Sequence, residues 1–148
     1  MLPNSCKDPL IGAYRLATLP KRRKDVAKRS AAGQAPVMVL FYHRVADDVE
    51  NDWTIATDRF LAQVEWIRER YRIVSLEDAQ KRIASGSNDE PLAAITFDDG
   101  YADNMTKAVP WLIEQELPFT YFVATDFALE GRPFPHDLQR GEALAPNT

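Results

Sequence analysis

The sequence predicts an α/β fold: a parallel sheet flanked by helices, open rather than closed into a barrel. Three observations carry this. Continuous β-prone runs stand at Val37–Tyr42 and Leu92–Phe97, the pattern of strands buried on both faces. Around them, segments of helical periodicity alternate with short strands, an order that assembles with right-handed crossovers. At 148 residues the chain falls short of the roughly 200 that a closed α/β barrel usually needs. It is nevertheless long enough for one core.

The elements follow in order. Residues 1–36 carry Leu10, Ile11, Tyr14, Leu16 and Leu19 and end in Ala31-Ala32-Gly33, a short basic helical arm plus linker. The domain proper is expected over 37–148. After the Val37–Tyr42 strand, Arg44–Thr57 is a polar loop with four acids and no period. Phe60, Val64, Ile67 and Tyr71 recur at helical spacing and mark one buried face. Arg72-Ile73-Val74 is a short strand. Ser75-Leu76-Glu77-Asp78 resembles a capping box, opening a helix that Gly86 stops. Leu92–Phe97 is the next strand. Asp103 caps a helix reaching Glu116, with Ala108, Leu112 and Ile113 inward and a bend at Pro110. Phe119–Ala124 is a fourth strand. Beyond Thr125 the glycines and prolines, among them Gly131, Pro133, Gly141 and Pro146, read as loop, as if the fold stopped midway.

Composition and charge remove several classes. With 45% hydrophobic and 27% charged residues the chain is neither disordered nor fibrous. Residues 1–36 carry net charge +6 and residues 37–148 net −10. The acidic body is a poor nucleic-acid binder, so no nucleic-acid partner is expected. Lys21-Arg22-Arg23-Lys24 and Lys28-Arg29 read as a solvated helical face, with contact to an anionic surface as the competing reading. No apolar run approaches the ~20 residues of a membrane span. Lys7, Asp8 and Pro9 stand where a secretory signal would have its apolar core, so the expected compartment is cytoplasmic. The single cysteine, Cys6, forms no internal disulfide and has no assigned base.

The sharpest chemical feature is Thr96-Phe97-Asp98-Asp99-Gly100-Tyr101. It places two adjacent carboxylates at the carboxyl tip of a parallel strand, the edge at which α/β sheets bind ligands. Adjacent acids repel. A divalent metal offsets that: one carboxylate ligates it while the other acts as base on water. A surface Asp-Asp-Gly turn is the bland alternative. His43 follows a strand and falls on the same sheet edge, either near the site or hydrogen-bonded to a loop. Tyr101 lines a groove or packs at a helix start. His136, in Arg132-Pro133-Phe134-Pro135-His136-Asp137, covers the mouth of the site or sits in a surface loop. Of Trp53, Trp66 and Trp111, Trp53 is the best placed to be exposed.

Ile95-Thr96-Phe97-Asp98-Asp99-Gly100-Tyr101 resembles the first signature of the polysaccharide deacetylases (NodB-like carbohydrate esterases). Leu40–Val45, Phe60–Leu76 and Pro118–Val123 are similar to segments around that signature, and the resemblance runs from about residue 37 to 137. It implies a partial (β/α) barrel with about four strands present and its C-terminal half missing. It also implies Asp98 as catalytic base and Asp99 as ligand of a divalent metal, usually zinc. The activity implied is hydrolysis of N-acetyl groups on a polysaccharide or oligosaccharide.

The sequence departs from that family too. Its second signature, His-x-x-x-His, does not occur, and the two histidines, His43 and His136, stand far apart. The later arginine and histidine signatures do not occur either. The expectation is therefore the N-terminal portion of a deacetylase, with an inactive remnant or a non-enzymatic glycan-binding module as the alternative. A Mg²⁺ phosphotransfer site is disfavoured because the acids are adjacent rather than alternating. An open sheet edge and an uncovered apolar face predict self-association.

Overall fold

The structure is a computed structural model that describes residues 4–48 and 51–139, with side chains from residue 17 to 138. The side chain of Cys6, together with Gly141 and Pro146, lies outside those bounds. Helix α1 spans Asn4–Ala31. The expected short helix is thus a long one, because the Ala, Leu, Lys and Arg surrounding Pro9 and Pro20 are strong helix formers. Lys28 and Arg29 occupy its last turn, where cations suit the helix dipole.

Strand β1 (Val37–Tyr42) and strand β5 (Leu92–Phe97) pair in parallel over their whole length, from Val37↔Leu92 to Tyr42↔Phe97. On the other side of β5, strand β4 (Arg72–Ile73) pairs at its start and strand β6 (Thr120–Tyr121) at its end. β6 is shorter than the fourth strand expected from the sequence. The polar loop after β1 is not structureless: β2 (Arg44–Val45) and β3 (Thr54–Ile55) form a small parallel sheet of their own. Two-residue strands show no period, so nothing in the local pattern announces them.

Alternation along β5 divides the core between two faces. Ile95 and Phe97 pack with Tyr42 against Phe60 and Val64 of α2 (Thr57–Arg68) and Ala108 and Leu112 of α4 (Ala108–Glu114). Leu92 and Ala94 face the other way and pack with Val74 and with Ala79 of α3 (Leu76–Ser85). Each large apolar side chain so buried contributes about 2 kcal/mol. α3 begins as expected, with Ser75 Oγ accepting the Asp78 N–H at 3.1 Å, and ends at Gly86 in the left-handed conformation.

Asp103 does not cap α4. A 3₁₀ turn at Ala102–Met105 intervenes, and the Asp103 carboxylate is drawn instead to Arg44, with Nε–Oδ2 at 2.7 Å. Pro110 falls in the first turn of α4, where a missing N–H costs nothing, so the expected bend has no cause. Ile113 points outward and is largely exposed. The terminal stretch expected as loop contains two short helices, α5 (Thr125–Glu130) and α6 (Pro135–Gln139). Helices this short carry too little period to read from sequence. Pro135 opens α6, the position its fixed φ suits.

Candidate functional site

The register of β1 on β5 sets the site. Because Tyr42 lies opposite Phe97, His43 and Asp98 leave the sheet at one carboxyl edge, and the Asp98 N–H donates to the Tyr42 carbonyl at 2.8 Å. Asp99 and Gly100 then both take positive φ, 69° and 86°. Glycine adopts that conformation freely, and Asp is among the few other residues that visit it. The chain beyond β6 stitches the turn in place: Phe122 N–H donates to the Phe97 carbonyl at 2.8 Å and Ala124 N–H to the Asp99 carbonyl at 3.2 Å.

His43 faces this turn. Its Nε2 lies 3.8 Å from Asp99 Oδ2, with the two side chains 22% and 31% exposed. The Trp53 ring packs on the imidazole with centroids 4.9 Å apart, and Trp53 is half exposed. A cleft of about 230 Å³ opens here, lined by Phe41, His43, Asp52 and Trp53 among others. The backbone beneath His43 is fixed by Asn104, which is fully buried: its Nδ2 donates to the His43 carbonyl at 2.8 Å, and its Oδ1 accepts the Val45 N–H at 2.8 Å.

Tyr101 follows the turn and is only 3% exposed, covered by Phe134 with ring centroids 5.3 Å apart. Its hydroxyl donates to Asp137 Oδ2 at 2.8 Å and lies 3.0 Å from His136 Nε2. Burial, then the hydrogen bond to Asp137, push the Tyr101 hydroxyl well above the usual tyrosine range. The Arg44 guanidinium lies 5.1 Å from the Tyr101 ring centroid, and the Tyr121 hydroxyl donates to the Tyr101 carbonyl. The His136 ring is stacked on Phe134.

The structure thus brings Asp98, Asp99 and His43 to one edge and joins Tyr101 to His136. Asn104, Asp137 and Arg44 are the participants that sequence reasoning missed. Each is a polar side chain buried by contacts distant in sequence, and no local spacing signals that. As for a metal, Asp99 and His43 offer one donor each. No three His, Cys, Asp or Glu side chains converge among the described residues. Catalytic zinc takes three protein ligands, so these residues do not by themselves fit one.

Fold and site together define the class: an α/β protein with paired acids at the carboxyl tips of a parallel sheet, arranged as a partial (β/α) barrel. Residues 85–142 match the polysaccharide deacetylase family model, and that stretch contains the signature read from the sequence. Among solved structures the chain is similar to IcaB from Ammonifex degensii, with 29% identity, TM-score 0.57 and 67% of this chain covered. It is also similar in fold to a de-N-acetylase from Aggregatibacter actinomycetemcomitans, with 22% identity, TM-score 0.58 and the same coverage. The chain spans only 42% and 43% of those two chains. A comparison with curated proteins found no match.

Proposed function

We propose that this chain carries one side of a polysaccharide deacetylase site, which hydrolyses the N-acetyl groups of a glycan. The observation that supports it most is the meeting of His43 and Asp99 at 3.8 Å beside Asp98, at the tips of two strands in full register. Asp98 is the base: it takes a proton from water as the oxygen attacks the acetyl carbonyl. When the C–N bond breaks, that proton goes to the departing amine, so amide and water become acetate and a free amino sugar. Asp99, held in its left-handed turn, is the carboxylate presented to a divalent metal, with His43 beside it. Two donors do not complete a metal centre. The glycan enters past the Trp53 cleft, where an aromatic face suits the apolar face of a sugar ring.

Acetate release from an N-acetylated oligosaccharide, by a chain or complex that completes the zinc ligand set, tests this. Asp98→Asn is expected to lower the rate by about 10²- to 10⁴-fold, the usual contribution of a general base. Asp99→Ala is expected to weaken zinc binding measured by calorimetry, while Asp98→Asn leaves it unchanged. Release that persists in Asp98→Asn, or zinc affinity unmoved by Asp99→Ala, overturns the assignment. Zinc and glycan binding without any acetate release would favour a binding module.

A further inference from the structure

His136, Tyr101 and Asp137 form a hydrogen-bonded chain whose direction is fixed by what each group can donate. Tyr101 has one hydroxyl proton and two neighbours within reach, Asp137 Oδ2 at 2.8 Å and His136 Nε2 at 3.0 Å. Asp137 is 2% exposed, and the hydroxyl donates to its Oδ2, the shorter of the two contacts, so the single proton goes there. The contact with His136 then has one solution: Nε2 carries the hydrogen and donates to the Tyr101 oxygen. The neutral imidazole consequently keeps its lone pair on Nδ1. The ring is steadied by stacking on Phe134, at 5.3 Å and 11°, and its side chain is half exposed.

We propose that Asp137 is a positioning residue of the candidate site: by accepting the Tyr101 proton it holds His136 as the Nε2–H tautomer and pins the Phe134–Asp137 segment onto Tyr101, the residue that follows the Asp98-Asp99-Gly100 turn. An imidazole so held offers Nδ1 as a hydrogen-bond acceptor. It suits a ligand that brings a donor, such as a sugar hydroxyl or an amide N–H, and not a carboxylate or phosphate. The bearing of this on catalysis rests on the proposed roles of Asp98 and Asp99; the tautomer itself does not.

The test is a long-range ¹H–¹⁵N spectrum of the full chain at a pH where His136 is neutral, with His43→Gln separating the signals of the two histidines. His136 is expected as the Nε2–H form. Asp137→Ala frees the tyrosine proton to turn to His136 Nε2, so the major tautomer switches to Nδ1–H. Asp137→Asn keeps an acceptor oxygen and restores the Nε2–H form, and Tyr101→Phe leaves the two forms mixed. A wild-type His136 in the Nδ1–H form overturns the proposal whether or not any variant folds. So does a tautomer unmoved in a folded Asp137→Ala chain. Failure of acetate release touches none of these outcomes, so the two readings fail separately.

Discussion

His43 meets Asp99 in the turn and His136 meets the hydroxyl of Tyr101 just after it, and each depends on a buried polar side chain of another residue. On the His43 side Asn104 acts on backbone, gripping the carbonyl of residue 43 and the N–H of residue 45. That fixes where the histidine begins and leaves its ring to be steadied by Trp53. On the His136 side Asp137 acts on a side chain, through the Tyr101 hydroxyl. That fixes where a proton sits. A backbone clamp sets position and a side-chain clamp sets protonation, so the two sides should respond differently to substitution.

The largest effect is expected at Asn104. Asn104→Ala leaves two backbone groups without partners in the interior, at a cost of about 4 kcal/mol. Urea unfolding measures it, and a loss near zero would remove the clamp from the comparison. Next comes Tyr42, which ends β1 and donates to Gln63 Oε1 at 3.0 Å; burial pushes its hydroxyl up to about 12. The folded chain therefore holds this proton more tightly than the unfolded one does. The stabilisation is complete below pH 10, the ordinary tyrosine value, and is lost as pH rises through about 12, a span worth about 3 kcal/mol. Circular dichroism against pH should show the fold of Tyr42→Phe giving way less steeply over that range; an identical profile would deny Tyr42 the effect. The smallest is Asp103→Ala, which deprives buried Arg44 of a carboxylate that is itself 30% exposed, a loss of about 2 kcal/mol in thermal unfolding. Because Arg44 follows His43 and also lies against Tyr101, this substitution should disturb both sides at once. A change confined to one would sharpen the contrast.

What could be read in advance follows from how far each signal reaches along the chain. β5, the α2 face of Phe60, Val64 and Ile67, and the Ser75–Gly86 helix depend on period and caps within a dozen residues, and they stand where the pattern puts them. The acid pair was legible as well, since a strand and a glycine beside it suffice to place it at a sheet tip. Asn104, Arg44 and Asp137 were not. A polar residue in a sequence looks solvated, and only the packed chain shows that residue 104 closes onto 43 and 45, or that 137 closes onto 101. The helices α5 and α6 escaped for another reason: prolines and glycines that cap and start short helices also punctuate loops.

The pairing of β1 with β5 has a kinetic side. Val37 and Leu92 lie about 55 positions apart, whereas β4 and β6 meet β5 from about 20 and 24 positions away. Closing the longer loop costs roughly 1 kcal/mol more in chain entropy. β4, α3 and β5 can therefore come together before β1 docks. His43 reaches Asp99 only when it does, so the edge that bears the acid pair is assembled by the most distant contact of the central sheet, which its contact order places late in folding.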